Sequence, residues 1–100
     1  MRRLESGAAR MNAMRMDSRP MLSPLFRLQW EEAQQCHVLL YPEGMVRLND
    51  SAAVILQHCD GDRSVEQICA ELTRRFRDND VSDDVVLFLN HALDRGWLKT

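Results

Sequence analysis

The sharpest change of pattern in the chain falls at Leu25. Before it the apolar positions follow no period, whereas after it Phe26, Leu28 and Trp30 alternate with Arg27, Gln29 and Glu31. That alternation predicts a strand with one buried face. Glu32 to Gln35 is a polar connection, and Cys36 to Tyr41 follows as an almost unbroken apolar run, the pattern of a middle strand covered on both faces. Pro42 presets the first corner of a turn, and Gly44 can take the left-handed conformation that a three-residue hairpin loop requires. Met45 to Leu48 then returns as a short third strand. Consecutive strands commonly pair as neighbours, so this third strand is expected at a sheet edge with one row of backbone groups unpaired.

Beyond Leu48 the period lengthens to that of helices. Asn49 is placed to cap a helix over Asp50 to Cys59, with Ala52, Ile55, Leu56 and Cys59 on one face and Gly61 as its stop. Ser64 and Gln67 have the capping-box spacing, and Val65, Ile68, Cys69, Leu72 and Phe76 form the inward stripe of a second helix. Arg77 to Asp80 is a polar break. Ser82 is placed to cap a third helix, with Val81 and Val86 spaced as a hydrophobic staple, ending at Arg95 before Gly96. Trp97 and Leu98 are expected to pack back over the helices. The sum is an α+β fold: a three-stranded antiparallel sheet followed by a three-helix bundle, similar to winged helix-turn-helix modules.

Composition divides the chain at the same place. Residues 1–24 hold five Arg against Glu5 and Asp17, and five of the six Met, with no Val, Ile, Trp or Phe. Such a segment lacks the apolar surface to offset its own ordering, so residues 1–24 are expected to be a flexible basic tail and residues 25–100 the folded domain. No apolar run reaches the length of a secretory signal or a membrane span, which points to a cytoplasmic protein with no membrane partner. Cys36, Cys59 and Cys69 are odd in number and lack the Cys-x-x-Cys spacing, which favours reduced, buried thiols over disulfides.

The candidate chemistry is sparse. Cys36-His37 and His58-Cys59 resemble paired metal ligands, but adjacent side chains diverge on a strand and on a helix alike, so no metal and no cofactor is expected. Ser51, Ser64 and Ser82 each stand at or beside a helix start, where capping accounts for them, and His91 falls on the polar side of its helix. No nucleophile and base are therefore paired, and the chain reads as a binder, not an enzyme. Nucleic acid is the first ligand that a helix-turn-helix shape suggests. Asp83, Asp84 and Asp94 against Arg95 on the third helix argue against duplex binding, since affinity for phosphates comes largely from Lys and Arg.

What remains is an edge strand beside an apolar helix. Val85, Val86, Phe88, Leu89, Ala92 and Leu93 span an arc wider than a single core contact needs, and Leu87 stands outside it. A free edge flanked by such a wall would accept an extended peptide by strand addition. On that reading Val46→Pro removes a docking donor.

The order Leu28-Gln29-Trp30-Glu31-Glu32-Ala33-Gln34, His37-Val38-Leu39-Leu40-Tyr41-Pro42-Glu43-Gly44, Leu48-Asn49 with Ser51-Ala52, Cys59-Asp60-Gly61 and Arg95-Gly96-Trp97 resembles the PqqD family. These are small peptide-binding proteins of pyrroloquinoline quinone biosynthesis. The resemblance covers Leu25 to Trp97 and implies a RiPP recognition element that binds the precursor peptide PqqA and presents it to the radical SAM enzyme PqqE. It also implies that the peptide extends the sheet at Met45, Val46, Arg47 and Leu48 and lies against Val85, Val86, Phe88 and Leu89. Some members form homodimers, and a short edge strand makes strand exchange between copies feasible. The competing expectation from the residues alone is a helix-turn-helix regulator that binds nucleic acid.

Overall fold

The phase of the alternating segments decides the sheet. A computed structural model describes residues 14–76 and 80–100 of the chain. In it Arg27–Glu31 (β2), Cys36–Tyr41 (β3) and Gly44–Arg47 (β4) form an antiparallel sheet in the order β2-β3-β4. Leu28, Leu39 and Val46 stand opposite one another across it and pack on the core. Val38 and Leu39, on opposite faces of β3, are both fully buried, as the unbroken apolar run of this strand requires.

The helices follow as Asp50–Gln57 (α1), Val65–Arg75 (α2) and Ser82–Asp94 (α3). The Asn49 side chain accepts from the Ala52 amide at 2.8 Å, and Ser64 and Gln67 close a complete capping box, so two of the three starts are built as their residues dictate. The core gathers Ala52, Ile55 and Leu56 of α1, Val65, Ile68 and Leu72 of α2, and Val85, Leu89 and Ala92 of α3 around Leu39. At the end of α3 the Trp97 amide donates to the Ala92 carbonyl and the Gly96 amide to Leu93. With Gly96 at φ 79° this is a Schellman stop, which only a residue tolerant of positive φ closes cheaply. It turns Trp97 and Leu98 back into the core, where both are buried.

Several expectations are corrected. The hairpin loop is Pro42-Glu43 alone: Gly44 pairs with Tyr41 as the first residue of β4, and its φ of 159° is not left-handed. The helix expected to reach Cys59 ends at Gln57, and Gly61, at φ 84°, bends the following link instead. Ser82 makes no side-chain cap; the Asp80 carboxylate accepts its amide at 2.9 Å and is held below the usual carboxylate range chiefly by that bond. Phe76, expected on the inward stripe, is 44% exposed because it lies beyond the last turn of α2, where the helical phase no longer governs it.

The largest correction concerns the N-terminal side of Leu25. Met1–Ala13 lies outside the described residues, as do Arg77–Asn79 within the expected polar break. Residues 14–24, however, are packed. Met14 and Pro20 are buried, and Met21–Leu22 (β1) pairs antiparallel with Leu98–Lys99 (β5) as a second sheet. The carbonyls of Ser18 and Met16 accept from the Val65 and Glu66 amides, which are free at the start of a helix. Pairing with distant elements supplies what the segment's own composition lacks.

Candidate functional site

An antiparallel ladder alternates residues that exchange hydrogen bonds with their opposite with residues whose N–H and C=O point away. The Leu48 amide donates to the His37 carbonyl at 3.0 Å, so in register Val46 bonds to Leu39 and Gly44 to Tyr41. Met45 and Arg47 therefore turn their backbone groups outward. Among the described strands nothing pairs with that side of β4. Among the described residues the expected edge is free, and its open groups belong to Met45 and Arg47, while Val46 faces inward.

Side chains follow the same alternation. Met45 is 43% exposed and Arg47 exposed, whereas Val46 is half-buried and Leu48 is buried in the core. On α3, Val85 and Leu89 are also core residues, at 2% and 0% exposure. Both pack among the core residues of the other two helices. Val86 and Phe88 are half-buried, and at about 100° per residue they lie about 200° apart, on opposite flanks of the core stripe. The eight residues expected to act together thus separate into an open backbone edge, a core set and two helix flanks.

The two flanks have different neighbours. Asn90, on the Val86 flank, accepts the Met14 amide at 2.6 Å, so the N-terminal arm lies there. Phe88 faces Trp97, their ring centroids 6.3 Å apart, and His91 meets Trp97 edge-on at 5.7 Å. On the same flank Asp84 borders a cavity with Ser51 of α1 and Phe76. The Asp84 end of this flank is thus turned toward α1 and Phe76, and the Phe88 end toward Trp97. Leu87, outside the core stripe as its position requires, is 71% exposed.

Two of the three cysteines are held as neutral thiols. Burial pushes the Cys59 thiol up to about 12, with Asp60 adding to the effect, and burial likewise raises Cys69. Both remain protonated, and a protonated thiol is a poor nucleophile. Among the described residues no group of three or more His, Cys, Asp or Glu is placed to hold a metal ion. None of the described helices is long and apolar enough to cross a membrane. Asp83, Asp84 and Asp94 are exposed on α3, so the helix-turn-helix alternative finds no support in the charge this helix presents.

Two features escaped the sequence reading. One is the cavity pair around Phe76, invisible because it depends on how three helix ends meet. The other is a chain of ion pairs in which Arg63 bridges Asp60 at 2.8 Å and Glu71 at 3.1 Å, with His58 3.7 Å from Glu71. It ties the α1–α2 link to α2, and its spacing in the chain carries no motif.

Comparison with known proteins agrees with this geometry. The family model described as coenzyme PQQ synthesis protein D (PqqD) matches residues 36–98. A PqqA binding protein of Azotobacter vinelandii is 57% identical over 81 residues, covering 80% of this chain and 88% of the relative. One of Methylococcus capsulatus is 49% identical over 78 residues, covering 78% and 84%. The solution NMR structure of the PqqD truncation of Methylobacterium extorquens PqqCD, described as a functional, stand-alone RiPP recognition element, superposes with a TM-score of 0.74. The two are 27% identical, and the match covers 91% of this chain and 99% of that one. With its sheet and helices superposing on that structure and its sequence matched over most of its length, the chain belongs to the PqqD family.

Proposed function

We propose that this chain is a non-catalytic peptide chaperone that binds the PqqA precursor peptide and presents it to the radical SAM enzyme PqqE. The observation that carries the reading is the outward row of backbone groups at Met45 and Arg47, in a chain 57% identical to a PqqA binding protein. A peptide added there gains main-chain hydrogen bonds that need no particular sequence, and side chains reaching the Phe88 flank of α3 supply selectivity. Leu48, Val85 and Leu89 act by fixing the distance between edge and helix, and Val86 stands apart from the peptide path.

Presentation is physically reasonable because strand addition leaves one side of the peptide and everything beyond the paired segment accessible to an enzyme. The test is titration of the full chain with synthetic PqqA peptide while backbone amides are followed. Slowed exchange at Met45 and Arg47, with shifts along Asp84, Phe88 and His91, supports the reading. Changes confined to β2 or to the Val86 flank would overturn it.

A further inference from the structure

The three-stranded sheet has a second face. Leu28, Leu39 and Val46 pack on the helical core from one side, and side chains alternate along a strand. The cross-strand rows Arg27, Leu40, Met45 and Gln29, Val38, Arg47 therefore stand on the other side. Val38 is fully buried yet lies outside the core cluster. Gln29 and Arg47, directly opposite it on its two sides, are long enough to cover it with their aliphatic stems. Leu40 is half-buried and Met45 is 43% exposed. The face is thus an apolar strip framed by two exposed cations, Arg27 and Arg47.

This strip is continuous with the open edge, because Met45 and Arg47 belong to both. Their backbone groups form the edge, and their side chains end the two rows. A peptide paired there becomes a fourth strand whose side chains alternate in step with the sheet. Half of them fall on the helix side, where this chain reads them. The other half emerge beside Met45 and Arg47, and an enzyme that reaches for them arrives over Leu40 and Val38. Charge separates the two sides further. The outer face carries Arg27 and Arg47 against Glu31, whereas α3 presents Asp83, Asp84 and Asp94. An acidic partner surface is attracted to the sheet and repelled by the helix.

We infer, resting on the edge-strand reading above, that the outer face of the sheet is the docking surface for the enzyme that receives the peptide. An acidic patch of that enzyme with an apolar centre closes over Leu40 and Met45, its carboxylates pair with Arg27 and Arg47, and the same contact covers the outward side chains of the peptide. The chain holds peptide by its edge and enzyme by its face. Because the bound peptide widens that face, the enzyme binds the loaded chain more tightly than the empty one, and by linkage the enzyme tightens the peptide by the same factor.

The experiment uses the full chain, synthetic PqqA peptide and purified PqqE, with each pairwise affinity and the affinity of PqqE for the PqqA-loaded chain measured by calorimetry. Arg27→Glu lies on β2, away from the peptide edge, at an exposed position that does not threaten the fold. Combined with Leu40→Thr, which keeps a strand-forming residue, it should weaken PqqE binding by at least about tenfold and leave PqqA affinity unchanged. Added salt should weaken PqqE binding to the native chain more than to Arg27→Glu. Unchanged PqqE affinity in Arg27→Glu, Leu40→Thr overturns the inference, and so does a loss caused by Asp94→Lys instead. A dimer that forms without PqqE and is abolished by Arg27→Glu also overturns it, since the face would then belong to a second copy. Should the double variant melt early, Arg27→Glu alone carries the expected loss and its salt dependence. Arg47→Pro separates the two levels: retained PqqA affinity there sinks the edge reading itself, whereas lost PqqA affinity there with PqqE indifferent to Arg27→Glu sinks only the docking face.

Discussion

The Leu48 amide donates to the His37 carbonyl across 3.0 Å, and this bond sets the phase of the whole edge strand. It directs Val46 toward Leu39 and leaves Met45 and Arg47 facing outward. The proline that tests docking therefore belongs at residue 47.

Arg47→Pro should keep the fold, since an edge residue whose N–H faces outward tolerates proline, and should weaken PqqA binding by at least about tenfold through the lost donor and the bulk of the ring. Val46→Pro should instead destabilise the protein by about 2 kcal/mol, because it orphans an acceptor on β3. Calorimetric titration beside urea melts of the two variants distinguishes these outcomes, and a stable Val46→Pro protein would refute the assigned phase.

Leu89 is fully buried, whereas Phe88 on the next position is half-buried beside Trp97. Leu89→Ala should cost about 2–5 kcal/mol of stability, and any loss of PqqA affinity should vanish once corrected for the folded fraction. Phe88→Ala should lower affinity in protein that remains folded. Chemical denaturation paired with titration of each variant reads the difference.

Starting the chain at Leu25 should cost about 2–4 kcal/mol, since it removes buried Met14 and Pro20 and the β1 partner of β5. A thermal melt unchanged by that truncation would show that the arm adds nothing to the core.

At pH 8 iodoacetamide should modify the half-buried Cys36 first, and Cys59 and Cys69 only after unfolding. The Cys59 thiol is raised to about 12 in the folded state, so its contribution to stability is complete below the ordinary thiol range and is lost as pH rises from about 9 toward 12. The Asp60 and Asp80 carboxylates are lowered by the backbone amides they accept. Their contribution is complete above about pH 4 and is lost as pH falls below it. Melting temperature against pH should fall at both ends.

Local physics accounts for what was readable before the fold was known. Asn49 and the Ser64–Gln67 pair announce two helix starts because a cap is satisfied within three residues of itself. Gly96 announces a stop for a similar reason, and the alternation of Phe26, Leu28 and Trp30 marks a strand without reference to any partner. Where the reading failed, the deciding contact was remote. Phe76 has the right spacing for the inward stripe, but it follows the last turn of α2 with a backbone that has left the helix, so the helical phase no longer directs it inward. Residues 14–24 have the composition of a tail, yet β5, more than seventy residues away, supplies the pairing that orders them.

The candidate site divides along the same line. The chain itself determines that a third strand stands last in its sheet and that an apolar helix follows, because pairing of neighbours and helical period are set by residues close in sequence. Only the folded molecule decides which backbone groups of that strand remain open, which apolar residues of α3 the core consumes, and that a cavity forms beside Phe76. Those outcomes depend on strand register and on the meeting of three helix ends, and both are set by packing between residues far apart along the chain.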